Sequence, residues 1–280
     1  MGGAAAGELA SEMAAIEIHR YMVEMWRVDP EVSEARFARH LRDAVELANL
    51  RLHDYSVEHT EVRGMGTTAT VAGIWGDRLY LAQIGDSRGY LVRAGEARQL
   101  TRDQSLTQRL VEVGELTEAE AEASERRNII LQALGPDERV KVDVSWQPLQ
   151  RGDVLIICSD GLSTVVRREE IASAVQAEPD LGRLAESLVQ LANERGGPDN
   201  ITVVTVRFDG EGLPTRAPAE PGYHEFLITD ERPALLPTAA FPAAVFTPIA
   251  TSPLRSGSPT GMALIAIAIV MGLLALILLF

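Results

Sequence analysis

Between Thr67 and Leu100 the chain alternates short apolar runs with turn residues, and this rhythm constrains the fold more than any other feature. Thr67-Thr-Ala-Thr-Val-Ala-Gly-Ile-Trp75 is rich in small and β-branched residues, and Gly76-Asp77 follows as a turn. Arg78 to Ile84 reads as a second strand and Gly85-Asp-Ser-Arg88 as a turn. Gly89 to Arg93 reads as a third strand, and Ala94-Gly95 turns into Glu96 to Leu100. Strands joined by turns this short make an antiparallel meander.

Helical patterns lie on both sides of the meander. Leu9, Met13 and Ile16 share one face, and Phe37, Leu41, Val45, Ala48 and Leu52 form a cleaner stripe at i+3/i+4 spacing. Helices are expected over 8–27 and 31–54, with Asp29-Pro30 as cap and first turn of the second. Thr117-Glu-Ala-Glu120 has the form of a capping box. Asp153–Cys158 and Ile201–Phe208 read as strands. Helices are expected between them at 168–176 and 181–195, the second stopped by Gly196-Gly197-Pro198. Long helices set against an antiparallel sheet give an α+β layered domain over residues 1–209.

The formal net charge is −14. Phosphate backbones call for clustered Lys and Arg, so a nucleic-acid partner is not expected. The one cysteine, Cys158, sits inside an apolar strand and reads as a core thiol rather than a nucleophile. No basic region followed by an apolar run marks the N-terminus as a signal peptide.

Two further zones follow the domain. Residues 210–259 are rich in Pro, Ala, Thr and Ser with little periodicity, a composition expected of a disordered linker. Within it, Tyr223-His-Glu-Phe-Leu-Ile228 is a candidate docking patch. Residues 260–280 end in an uncharged apolar run, Met262–Phe280. As a helix the run would cover about 28 Å, close to a bilayer core. A transmembrane tail is therefore expected, with Arg255 ahead of it and the domain on the cytoplasmic side.

Three aspartates sit at junctions of strand and turn: Asp86 in Gly-Asp-Ser-Arg, Asp160 in Ser-Asp-Gly-Leu and Asp199 in Gly-Gly-Pro-Asp-Asn. Singly, each is ordinary turn chemistry, because Asp hydrogen-bonds its own backbone. Together, carboxylates at strand ends can converge at one sheet edge and offer hard oxygen ligands to Mg²⁺ or Mn²⁺.

Gly64-Met-Gly-Thr-Thr-Ala69, Ile84-Gly-Asp-Ser-Arg-Gly-Tyr90, Leu100-Thr-Arg-Asp103, Arg127-Asn-Ile-Ile130, Ala133-Leu-Gly135, Cys158-Ser-Asp-Gly-Leu162 and Gly196-Gly-Pro-Asp-Asn-Ile-Thr202 resemble successive motifs of bacterial PP2C-like (PPM-type) serine/threonine protein phosphatases. The resemblance implies an α-β-β-α sandwich and two bridging Mn²⁺ or Mg²⁺ ions, often with a third. It implies hydrolysis of phosphoserine and phosphothreonine by metal-activated water, with phosphorylated proteins as substrates and a kinase in opposition. It assigns Asp160 and Asp199 to the first metal and Asp86, with Asp160, to the third. Gly161 and Asn200 would shape the metal edge, and Gln104 to Arg127 would form the flap beside the cleft.

Met1-Gly-Gly-Ala-Ala-Ala-Gly-Glu-Leu-Ala-Ser11 is similar to the tail of the motif that opens the family's site. In the family an Asp-Gly pair stands ahead of that Met. The resemblance therefore implies a domain incomplete at its N-terminus, with weak turnover from residues 1–280 alone. The alternative from another functional class is a catalytically inactive, membrane-anchored module that binds phosphoproteins.

Overall fold

The computed structural model describes residues 4–197, 199–229, 264–268 and 275–279. Two antiparallel sheets stack face to face with helices on both outer surfaces, as the meander and its flanking helices imply. The first sheet contains β1 (Ala69–Trp75), β2 (Arg78–Ile84), β5 (Asp143–Pro148), β8 (Leu264–Ala268) and β9 (Ala275–Leu279), in the order β5-β2-β1-β8-β9. The second holds β3 (Arg88–Arg93), β4 (Glu96–Gln99), β6 (Asp153–Cys158) and β7 (Val203–Phe208), in the order β4-β3-β6-β7.

Three apolar layers follow from this stacking. Leu81, Leu91, Leu155, Ile157 and Phe208 fill the space between the sheets. On the outer side of the first sheet lie α1 (Ala4–Val28) and α2 (Glu34–Glu58). They bury Met13, Ile18, Met22, Phe37, Leu41 and Leu52 against Val71 and Tyr80. On the outer side of the second sheet lie α6 (Arg168–Ala177) and α7 (Leu181–Glu194), with Ile171, Leu184 and Leu188 against Ile156 and Cys158. Close approach of α2 depends on Gly73. A Cβ there would stand 2.8 Å from Phe37 and 3.2 Å from Leu41, so a side chain would lift the helix off the strand.

Helix α2 starts later than its sequence suggests. Ser33, in extended geometry, precedes the first turn, and Asp29 lies outside the helix. The Asp29 carboxylate instead accepts from Arg36 at 2.9 Å, while the Val32 carbonyl takes the Trp75 indole N–H. The link therefore serves the junction with β1 rather than the helix end. Strand β5 was not expected, although Val140, Val142, Val144 and Trp146 alternate as a strand should.

One expectation for the C-terminal third needs correction. Residues 210–229 are not a free linker. They form an ordered strap that leaves β7, bonds Gln150 and Arg151 of the turn between β5 and β6 and pairs with the β5 edge. Trp146 N–H donates to the His224 carbonyl at 2.9 Å, and Phe226 N–H to that of Val144 at 2.7 Å. Phe226 and Ile228 pack on the outer core of the first sheet. Pro-rich composition disfavours helices and central strands, but a short extended segment on a sheet edge tolerates it. Residues 230–259 of the expected linker lie outside the described residues.

Part of the expected transmembrane segment 260–280 lies outside the described residues. Its described parts are strands β8 and β9. Strand β8 pairs antiparallel with β1, from Thr70 against Ala268 to Gly73 against Ile265. Among the described residues no helix is long and apolar enough to cross a membrane. The free edge of β1 is a template of unpaired N–H and C=O groups, and a wholly apolar run can pair with it as readily as coil into a helix.

Candidate functional site

The three aspartates come from separate parts of the chain, and strand register gathers them. Arg88, first residue of β3, stands opposite Cys158, last residue of β6. Cys158 stands opposite Val203, first residue of β7. Asp86 lies two residues before β3, Asp160 two residues after β6, and Asp199 four residues before β7. All three therefore occupy the same end of three neighbouring strands.

Hydrogen bonds fix each loop. The Ser159 hydroxyl donates to the Asn200 carbonyl at 3.0 Å and accepts from the Thr202 N–H at 3.0 Å. One side chain thus ties the Asp160 turn to the Asp199 loop. Asp160 opens a single helical turn, α5 (Asp160–Ser163). Gly161 lets the loops meet, since a Cβ there would lie 2.5 Å from the Asn200 carbonyl oxygen. The contact between Gly161 and Asn200 is thus steric and made by backbone. Around Asp86, Ser87 and Thr68 share a hydroxyl bond of 2.8 Å, and Gln83 donates to the carbonyls of Gly85 and Ser87. Gln104 receives the Gly85 N–H at 2.9 Å.

Electrostatics show what this end of the sheet lacks. Burial, then the charge of Asp160, then that of Asp103 push the Asp86 carboxyl up to about 7. Burial and the charge of Asp199 raise Asp160. The nearby cationic side chain, Arg88, is engaged by Asp103. Its Nε lies 3.1 and 3.0 Å from the two carboxylate oxygens, and its Nη2 lies 2.7 Å from Oδ2. Asp103 is the residue that sequence reasoning left without a role, although it stood in the motif Leu100-Thr-Arg-Asp103. Cys158 is buried, with a thiol pushed up to about 12, as a core residue should be.

The donor set suits a hard divalent cation: carboxylate oxygens, half-buried at Asp86 and Asp160 and exposed at Asp199, whose charges raise one another's protonation. The coupling runs in two pairs, Asp86 with Asp160 and Asp160 with Asp199. Among the described residues no three His, Cys, Asp or Glu side chains converge as a complete cation cage.

A family model, Protein phosphatase 2C, matches residues 6–132. Serine/threonine phosphatase stp of Listeria monocytogenes is 36% identical over 210 residues, 75% of this chain and 82% of that protein. The chain belongs to the PP2C family. Protein phosphatase PhpP of Streptococcus pneumoniae is 39% identical over 213 residues, covering 75% of this chain and 84% of its own length. A crystal structure of the catalytic domain of the serine/threonine protein phosphatase PstP, in complex with two manganese ions, superposes with a TM-score of 0.63 at 36% identity. That match covers 73% of this chain and 83% of the other. The PP2C-like α+β fold thus rests on solved relatives as well as on the layers described above.

One consequence of the aspartate cluster is a pH signature of the cation-free protein. An acid raised in the folded state holds its proton where the unfolded chain has lost it. Folding stability from Asp86 therefore falls as pH rises from about 4 to about 7 and is flat above. Asp160 acts with the same sign. His19 and His40, lowered by burial, act with the opposite sign. The difference between the parent protein and Asp86→Asn isolates the term. In chelator, melting curves should show the variant gaining on the parent as pH rises from 5 to 7.5, and excess Mn²⁺ should shrink that gain. A difference independent of pH would contradict the proposed strain at Asp86.

Proposed function

We propose that this chain is a metal-dependent protein phosphatase that hydrolyses phosphoserine and phosphothreonine in proteins, held at the cytoplasmic face of a membrane by Met262–Phe280. The observation that carries the catalytic reading is the placement of Asp86, Asp160 and Asp199 at one end of β3, β6 and β7, where burial and mutual charge raise Asp86 and Asp160 while Arg88 is engaged by Asp103. Asp160 and Asp199 would hold one Mn²⁺ or Mg²⁺, and Asp86 with Asp160 another. A divalent ion supplies charge for the phosphate oxygens and acidity for its own water.

The chain's residues do the positioning. Ser159 and Gly161 keep Asp160 against the Asp199 loop. Arg88 and Asp103 fix the approach to β3. The segment 104–127 starts where Gln104 bonds Gly85 and forms a small arm of two short helices, α3 (Leu106–Glu112) and α4 (Glu118–Ala123). The expected capping box of α4 is formed, with Thr117 and Glu120 bonding reciprocally. An arm beside the cleft suits choice among protein substrates, and a protein kinase would supply them.

Membrane attachment is supported by the length and lack of charge of Met262–Phe280. In water β9 would stand, among the described strands, at an apolar edge of the first sheet. A bilayer offers the same residues a helix with every backbone group satisfied. Carbonate-washed membranes should retain the full chain, whereas a chain ending at Pro259 should not sediment with them. Recovery of both in the soluble fraction would overturn the placement.

A second reading, a phosphoprotein-binding module without turnover, is favoured by the incomplete convergence of acidic groups. The deciding experiment assays the chain with a phosphothreonine peptide over a Mn²⁺ titration. Turnover that appears with Mn²⁺ and stops in chelator is expected of the phosphatase. Peptide binding without hydrolysis at every Mn²⁺ concentration would move the assignment to the binding module.

A further inference from the structure

The strap formed by residues 210–229 reaches the base of the 104–127 arm through a side chain the catalytic reading does not use. The Tyr223 hydroxyl lies 2.9 and 3.0 Å from the two carboxylate oxygens of Asp143, at the start of β5. The Arg102 guanidinium lies over the Tyr223 ring, 4.2 Å from its centroid. The same guanidinium pairs with Glu112 of α3, Nε to Oε1 at 3.6 Å. Arg102 is therefore held between the strap and the arm. Next to it in sequence, Asp103 grips Arg88, and Gln104 exchanges hydrogen bonds with Gly85, the residue before Asp86. On the β5 side, Ser145 donates to the Leu100 carbonyl at 3.1 Å and Gln104 to that of Lys141 at 3.3 Å.

Segment 100–104 is thus the stalk of the arm. One side is stitched to the aspartate turn and the other leans on Tyr223. Its return strand closes the same stalk, because Leu106 N–H donates to Ile129 and Leu131 N–H to Gln104. Stacking on a neutral ring fixes a guanidinium while leaving its charge available to Glu112. The Tyr223–Asp143 bond fixes the ring in turn.

We infer that Tyr223 is a positioning residue for the substrate side of the cleft, setting the arm through Arg102 although it lies outside the motifs of the catalytic domain. The kinetic part of this inference rests on the phosphatase reading; the structural part does not. A small phosphate ester needs only the cation end of the cleft, whereas a peptide also meets the arm. Loss of Tyr223 should therefore act on peptide KM more than on turnover of the small ester.

The test compares the parent chain with Tyr223→Phe, Tyr223→Ala and Leu227→Ala. Leu227 is 74% exposed on the same strap and serves as control. By hydrogen exchange, Tyr223→Ala should speed exchange at 100–106 and 129–131 by about fivefold or more, the scale of one lost stabilising contact. Tyr223→Phe, which keeps the stack, should do less, and Leu227→Ala nothing. In a form that turns over, KM for a phosphopeptide should rise about threefold or more while kcat/KM for p-nitrophenyl phosphate stays within about twofold. Unchanged exchange at 100–106, or parallel losses on both substrates, would overturn the inference. Absence of turnover in every form would count against the phosphatase reading instead, and the exchange data would still decide the role of Tyr223.

Discussion

Asp160→Asn is expected to lower Mn²⁺-dependent hydrolysis by more than about a hundredfold in a form that turns over. Loss even of a group that only supports a ligand costs about ten- to a hundredfold in metal affinity or activity. Asp160 faces both other aspartates, so an amide at this position removes charge from both pairs at once. Asp199→Asn should fall in the same range. Asp86→Asn should be milder, because it leaves the Asp160–Asp199 pair intact. A second readout needs no turnover. Mn²⁺ should raise the melting temperature of the parent chain by mass action and fail to do so in Asp160→Asn. Equal Mn²⁺ stabilisation in both proteins would remove Asp160 from the cation site.

The largest stability effect is expected away from the cleft, at Asp153→Ala. Asp153 is fully buried, and Arg93 is 7% exposed. The guanidinium reaches both carboxylate oxygens, at 2.9 and 2.6 Å, and also the carbonyls of Pro148 and Ala219. The carboxylate takes the Gln150 N–H as well. Removing the acid leaves a buried cation facing carbonyls alone, which costs about 3–5 kcal/mol. For a domain of this size that lowers Tm by roughly 10 °C. Removing both charges with Arg93→Met and Asp153→Leu should restore most of the loss, because the desolvation cost then disappears with the pair. A double variant as unstable as Asp153→Ala would show that shape, not charge, governs the position.

The layers were legible because periodicity reports which face of an element is buried. The stripe Phe37, Leu41, Val45, Ala48, Leu52 defined α2, and the turns at Gly76-Asp77 and Ala94-Gly95 defined the hairpins. The aspartates were legible as a set through their motifs. Register was not legible, and register alone brings Asp86, Asp160 and Asp199 to one end of the second sheet. Asp103 looked like any turn acid until Arg88 was seen across from it. The strap was legible only in part. Tyr223–Ile228 stood out as a docking patch, and Phe226 and Ile228 do pack on the core, but the pairing of residues 224–226 with an edge strand is made by backbone groups, and backbone pairing leaves little trace in composition. The apolar tail is the reverse case, since an uncharged run reads equally well as a span or as strands, and its described parts are the strands β8 and β9.

Ser159, whose hydroxyl bonds both sides of the Asn200–Thr202 segment, carries a consequence for the order in which the protein assembles. The loops it joins are about forty residues apart, and Asp86 is farther still from either in sequence. Such contacts close only after long loops have been drawn in, late on the folding route. A cation that needs two of these carboxylates has little to bind in the transition state. Mn²⁺ should therefore leave the refolding rate almost unchanged and act by slowing unfolding, the behaviour of an interaction formed after the barrier. In that sense the ion would serve as a latch on a finished sandwich rather than as a nucleus for building one.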